Sequence, residues 1–291
     1  MVALTGRREA YYTDYHGTPQ EIISALKYGF LYQGQYYQWQ GKRRGTPTLD
    51  LQPAVFVTFL QNHDQIANSG LGLRAHLLTS AGRYKALTAV LLLGPGTPML
   101  FQGQEFAASS PFFYFADFAG ELARLTHQGR AEFLSQFPSL AQPDMQARLP
   151  DPADPETFAR SKLDLTERQH HAAIYTLHCD LLRLRREDPV FRRQYRRGLD
   201  GAVLGPEAFV LRFFGERGDD RLLLVNLGRY LHLHPAPEPL LAPPEGRRWQ
   251  LQWSSEDPGY GGGGTAPLED EENWHIPAHA AVVLRPATGE A

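Results

Sequence analysis

The segment Asn62-His63-Asp64-Gln65 places an imidazole beside a carboxylate at the end of an apolar run, Ala54 to Leu60. β-Branched and aromatic residues dominate that run and Pro53 precedes it, which predicts a buried strand. A strand apolar on both faces fits a parallel sheet covered by helices. Ligands and chemistry in such folds gather at the carboxyl ends of the strands, so the His63–Asp64 pair is a candidate site. The same residues also suit a plainer role, in which Asn-His-Asp ends the strand and starts a turn. Composition leaves both readings open. Glu105 stands in a second polar cluster, Gln102-Gly103-Gln104-Glu105, after the short apolar stretch Thr97 to Phe101. It reads equally as a catalytic carboxylate and as one that bonds backbone amides. Leu231-His232-Leu233-His234 would put two imidazoles on one strand face, with no third ligand in sight, so no metal site is expected. No nucleotide-binding glycine pattern and no Gly-x-Ser-x-Gly elbow is present, and no cofactor is expected.

The elements that would position these groups are legible in outline. Thr18-Pro19-Gln20-Glu21 is a helix start, with Thr18 as N-cap and Pro19 at the first position, and Gly29 ends that helix. Residues 30–53 read as a long surface excursion. A helix over Tyr84–Leu93 stops at Gly94-Pro95-Gly96. Strand, polar tip, helix, strand and polar tip in succession make a β/α repeat with both tips on one face. Residues 106–155 read as irregular, with an aromatic patch at Pro111–Phe115. A long amphipathic helix is expected from Thr166 to Arg186, with Ile174, Leu177, Leu181 and Leu184 in one stripe. After about residue 196 the character changes to short strands, Ala208–Phe214, Arg221–Leu227, Arg248–Trp253 and Ala280–Leu284, separated by Gly/Pro-rich turns.

Composition narrows the function classes. The 291 residues are 42% hydrophobic and 21% charged with a net charge of −3, an ordinary globular balance that gives no reason to expect nucleic acid or an anionic membrane as partner. The single cysteine, Cys179, fits a reducing compartment. No apolar run approaches the roughly 20 residues of a membrane span, and the first residues carry no signal-peptide core. A cytoplasmic location is therefore expected.

Gln61-Asn62-His63-Asp64-Gln65 resembles the signature that ends barrel strand seven in the α-amylase superfamily of glycoside hydrolases. Further stretches are similar to one subgroup, the malto-oligosyltrehalose trehalohydrolases: Tyr11-Tyr12-Thr13-Asp14-Tyr15, Phe59 through Asn68, Thr97 through Glu105, Pro111 through Phe118 and Asp154 through Asp164. The resemblance extends over essentially the whole chain. It implies an α/β plus all-β fold: residues 1–195 as the C-terminal part of a (β/α)8 barrel, about strands seven and eight, and residues 196–291 as a C-terminal β-sandwich. The implied reaction is retaining hydrolysis of the α-1,4 bond that releases trehalose from maltooligosyl trehalose, so an α-glucan oligosaccharide is the expected partner. By that match Asp64 is the transition-state stabiliser, and His63, with Asn62 and Gln65, binds the same sugar.

One departure from the family pattern shapes the expectation. Retaining chemistry needs two carboxyl groups about 5–5.5 Å apart across the scissile bond. Neither the family's Gly-x-Arg-x-Asp context for the nucleophile nor its acid/base glutamate has a match in this sequence. The chain by itself is therefore expected to be inactive and to need a complementary N-terminal barrel fragment. Its two barrel strands would leave apolar faces exposed and favour aggregation, and only the sandwich would stand alone. Two rival readings are another α-amylase-superfamily enzyme, such as a branching enzyme, and a non-catalytic carbohydrate-binding module.

Overall fold

The computed structural model describes residues 1–195, 198–270 and 273–288; residue 196, the expected boundary, and residues 289–291 lie outside them. Its central layer is a five-stranded antiparallel sheet in the order Leu199–Gly205, Ala208–Phe213, Arg221–Asn226, Ala280–Thr288, Arg247–Ser254. The four strands read from the sequence are all present. Leu199–Gly205 was not foreseen, nor was a small sheet of Glu269–Asp270, Asn273–Ile276 and Leu231–Leu233.

Alternation along the central strands explains why they are apolar throughout. Val210, Leu222, Leu224, Val282 and Leu284 face the small sheet, where Leu231, Leu233, Trp274 and Ile276 complete a core. Their neighbours Phe209, Leu211, Phe213, Leu223, Val225, Ala281 and Val283 face the other way, into a core shared with the helices. Both faces are covered, so both sets of side chains are apolar.

The helix Ala81–Leu93 is the centre of that second core. Every residue from Tyr84 to Leu93 is buried, because the helix packs against the sheet, against Ala172–Glu187 and against the segments around it. Ser80 caps it by accepting from the Arg83 amide. Buried Lys85 donates to the Ser255 carbonyl at 2.7 Å and tethers the helix to the end of the Arg247–Ser254 strand. The long amphipathic helix is divided into Glu167–His170 and Ala172–Glu187 at His171, whose Nδ1 bonds the Phe106 carbonyl at 2.9 Å. Leu177 and Leu181 are buried as the stripe requires, with Ile174 and Leu184 partly buried beside them. Pro19–Tyr28 begins at Thr18 and ends at Gly29, as its capping residues dictate.

Two expectations are corrected. The run Ala54–Leu60 is not a buried strand. It forms a 3-10 turn, Pro53–Val55, and a two-residue strand, Val57–Thr58, paired in parallel with Thr97–Pro98. Val55, Val57 and Phe59 are 62%, 57% and 41% exposed. The apolar pattern asks for cover on both faces, and among the described residues this two-stranded ladder has no further strand beside it. The second correction concerns residues 106–155, which contain a 15-residue helix, Gly120–Leu134. Only Leu134 of that helix is buried, and its other large apolar residues, Leu122, Leu125 and Phe133, are exposed. Among the described residues no closed barrel is formed, and no helix is long and apolar enough to cross a membrane.

Candidate functional site

The parallel pairing of Val57–Thr58 with Thr97–Pro98 brings both polar tips to the same end of the ladder. Gln61, fully buried, accepts the Ala75 amide through Oε1 at 2.7 Å and so fixes where the first tip leaves the ladder. A short helix, His63–Ala67, follows at once. Asn62 is its N-cap: its side chain accepts from the Asp64 amide at 2.8 Å, while the Gln65 side chain accepts from the Asn62 amide at 2.8 Å. This reciprocal capping box fixes the first turn. The side-chain oxygens of Asn62 and Gln65 are thus occupied with backbone amides, and Asn62 has the turn-starting role that the plainer reading gives it.

The capping leaves His63 and Asp64 free. Their side chains are 65% and 62% exposed, with His63 Nε2 3.4 Å from Asp64 Oδ1. Both line a cavity of about 330 Å³ whose other walls include Asn68, Phe112, Tyr114, Phe115, Arg130 and Phe133. That volume lies at the lower end of the range for ligand sites, about 300–1,000 Å³. Neither Asn62 nor Gln65 lines it; Gln65 borders a separate cavity with Tyr11 and Tyr12.

The aromatic wall is held in place by Arg74. This fully buried guanidinium donates from Nε to the Ser110 carbonyl at 2.7 Å and from Nη1 to the Gln102 carbonyl at 2.6 Å. It therefore joins the segment after Asp64 to the segment that carries Phe112–Phe115. Gly72 adds a second stitch, accepting the Phe112 amide at 3.0 Å. Its φ is +64°, and a Cβ there would stand 2.8 Å from the Phe112 carbonyl oxygen, so both backbone freedom and close approach require glycine.

Burial around Arg74 has a measurable consequence. His76 is pushed down to about 4, first by burial and then by the adjacent Arg74 charge, and His178 is also lowered, chiefly by burial. In both cases the unfolded chain takes up the proton at a higher pH than the folded chain. Stability is then fully present above about pH 6.5 and is lost as the pH falls towards the folded pKa. For His76 the loss between about pH 6.5 and 4 amounts to roughly 3 kcal/mol. Urea midpoints measured at pH 7.5 and 5 should show about 2 kcal/mol of this loss in the native sequence and a smaller loss in His76→Asn. Equal losses in the two proteins would remove His76 as its source.

Other candidates are placed elsewhere. Glu105 approaches Arg168 at 3.7 Å and does not line the His63–Asp64 cavity. His232 stacks on His275 with ring centroids 4.7 Å apart and on His234 at 6.0 Å. Both ring nitrogens of His275 are already hydrogen-bonded, one to Tyr230 and one to Asp270. Among the described residues no group of three or more His, Cys, Asp or Glu side chains is arranged to hold a metal ion. Arg130 and Phe133 were missed in the sequence because their helix was missed.

Comparisons with known proteins add to this geometry. Residues 196–283 match the family described as Domain of unknown function (DUF3459). A malto-oligosyltrehalose trehalohydrolase of Deinococcus radiodurans is 40% identical over 232 residues, covering 78% of this chain and 38% of that protein. Another from Brevibacterium helvolum is 37% identical over 193 residues, covering 65% and 32%. The chain thus spans well under half the length of these relatives. Among solved structures, a putative alpha amylase from Salmonella typhimurium superposes with a TM-score of 0.77 at 30% identity, covering 98% of this chain and 44% of that one.

Proposed function

This chain is a sequence relative of the malto-oligosyltrehalose trehalohydrolases, and from that premise we propose that its His63–Asp64 cavity is the sugar-binding side of a retaining glycoside hydrolase site for maltooligosyl trehalose. The observation that carries the reading is the cavity itself. It joins an exposed carboxylate and imidazole at a parallel strand tip to a wall of aromatic rings, the combination that grips a pyranose by its hydroxyls and its C–H face.

In this reading Val57–Thr58 and Thr97–Pro98 are strands seven and eight of a (β/α)8 barrel, and residues 196–291 are the C-terminal sandwich. Asp64 accepts hydrogen bonds from ring hydroxyls of the distorted sugar. Its charge favours an oxocarbenium-like transition state over the ground state. His63 binds the same ring. Asn62 and Gln65 act on the sugar through the capping box, by fixing the turn that presents His63 and Asp64. The nucleophile and the acid/base would come from outside these 291 residues, since no stretch of the sequence matches their contexts.

Two measurements test this. A purified polypeptide of these 291 residues should release no trehalose from maltotriosyltrehalose, and detectable turnover would refute the incomplete site. The same polypeptide should bind trehalose, and Asp64→Asn should weaken binding about 10-fold or more, the cost of losing a charged acceptor. Unchanged binding in that variant would remove Asp64 from the site.

A second reading, a complementing fragment, is favoured by the exposed Val55, Val57 and Phe59 beside an unextended parallel ladder. Here the partner is a polypeptide carrying the other barrel strands. Mixing the two should restore trehalose release, whereas a branching enzyme would liberate none.

A further inference from the structure

Arg130 enters the cavity from the helix Gly120–Leu134 in an arrangement that a purely structural arginine does not need. Its Nη2 donates to the Ala67 carbonyl at 3.0 Å, at the end of the short helix that carries Asp64. The guanidinium carbon lies 5.1 Å from the Tyr114 ring centroid and 5.6 Å from that of Phe133. Two aromatic rings and one carbonyl thus fix the plane of the fork. Among the described residues it forms no ion pair and no other hydrogen bond. A guanidinium carries five N–H donors, so most of them have no protein partner. None of its nitrogens is among the sealed, partnerless buried atoms, so the unused donors are open to a ligand.

The surroundings decide which ligand chemistry this suits. Asp64 lines the same cavity, so a phosphate or carboxylate brought to Arg130 would also meet a carboxylate. A neutral polyhydroxyl compound meets no such penalty. Adjacent hydroxyls on a pyranose present two acceptors to a planar fork, while Asp64 accepts from hydroxyls of the same ligand and Tyr114 or Phe133 covers a C–H face. The helix that supplies Arg130 is mostly exposed, so its placement over the cavity rests on a few contacts, the Ala67 bond among them.

We propose that Arg130 is a specificity-determining residue of the His63–Asp64 cavity, donating through its guanidinium fork to adjacent hydroxyls of one glucosyl ring of a neutral oligosaccharide. This rests on the sugar-site reading of the cavity. It adds a recognition element that the Asn62–Gln65 motif does not contain.

The test measures binding of trehalose, and of deoxy-trehalose analogues each lacking one hydroxyl, to the 291-residue polypeptide. The variants are Arg130→Gln, Arg130→Lys and Asp64→Asn, with thermal melts as a folding control. Arg130→Gln should weaken trehalose binding about 10-fold or more while keeping its melt. Arg130→Lys should not restore it, because an ammonium keeps the charge but not the fork. The native protein should reject at least one deoxy analogue by about 10-fold or more, and Arg130→Gln should no longer distinguish it from trehalose. A merely structural role would not change that discrimination. Full binding by Arg130→Lys would assign the residue to tethering Ala67 and overturn the proposal. Full binding by Arg130→Gln alongside impaired Asp64→Asn would also overturn it, and would leave the sugar site standing. Inorganic phosphate bound in preference to trehalose would overturn the neutral-sugar assignment. If the native protein binds no trehalose, the sugar-site reading and this inference fall together.

Discussion

A polypeptide of residues 198–288, freed of the helices that precede it, is expected to aggregate instead of folding as a stable monomer. The five-stranded sheet buries Phe209, Leu211, Phe213, Leu223 and Val225 against Tyr84–Leu93, Leu177 and Leu181. Uncovering a large apolar side chain costs about 1.5–3 kcal/mol. Five of them together approach about 10 kcal/mol, comparable with the whole stability of a typical domain. The exposed face would also exceed the apolar patch that a soluble monomer tolerates. Size-exclusion chromatography and binding of an apolar dye check this. A monodisperse monomer with sharp unfolding would show that the sheet does not need its helical cover, which is the outcome the sequence pattern alone suggests for a β-sandwich. In the structure, the core that the sheet shares with the helices makes the opposite outcome the expected one.

Asp188→Ala is expected to cost about 3–5 kcal/mol, the range for removing one partner of a buried ion pair. Asp188 and Arg221 are 6% and 5% exposed and meet at 2.8 Å. Asp188 also accepts from Gln252 at 3.0 Å and from the Val190 amide at 2.9 Å, so one carboxylate joins the end of the Ala172–Glu187 helix to two strands. Burial alone would raise its pKa. The hydrogen bonds from Gln252 and Arg221 outweigh that and hold it below the usual carboxylate range. The stability it contributes is therefore present above about pH 3.9 and lost as the pH falls through the lower folded value. This window lies below that of His76, so the two separate in a pH series. Arg221 keeps a bond to Asp219 at 2.7 Å after the substitution, which places the expected cost at the lower end of the range. Chemical denaturation at pH 7 measures it; a change below about 1 kcal/mol, the scale of an exposed pair, would show that the pair is not isolated from water.

Legibility followed the range of the interaction. Thr18 and Gly29 bound their helix because capping is settled within a few residues. The four apolar β-segments were found because each carries its pattern within its own length. Ala54–Leu60 looked like them, and its exposure differs because cover is supplied by other segments, not by the run itself. Gly120–Leu134 was read as irregular; its residues Leu122, Leu125 and Phe133 stay exposed, so no shared core marks the helix.

The motif at residues 62–65 shows the same division. By itself the sequence determined that an imidazole and a carboxylate would sit together after an apolar run and which family that signature resembles, and it offered Asn62 a turn-starting role without deciding it. These are properties of neighbouring residues, fixed by backbone hydrogen bonds and spacing. Only the tertiary structure decided that Gln65 turns to the backbone while His63 and Asp64 face a cavity, that Arg74 draws the aromatic segment over them, and that Arg130 completes the wall. Periodicity states that a face is buried but not what buries it, since apolar attraction is non-directional. The buried hydrogen bonds of Arg74 and the tether of Arg130 to Ala67 depend on segments distant in the chain, whose meeting only the packed fold sets.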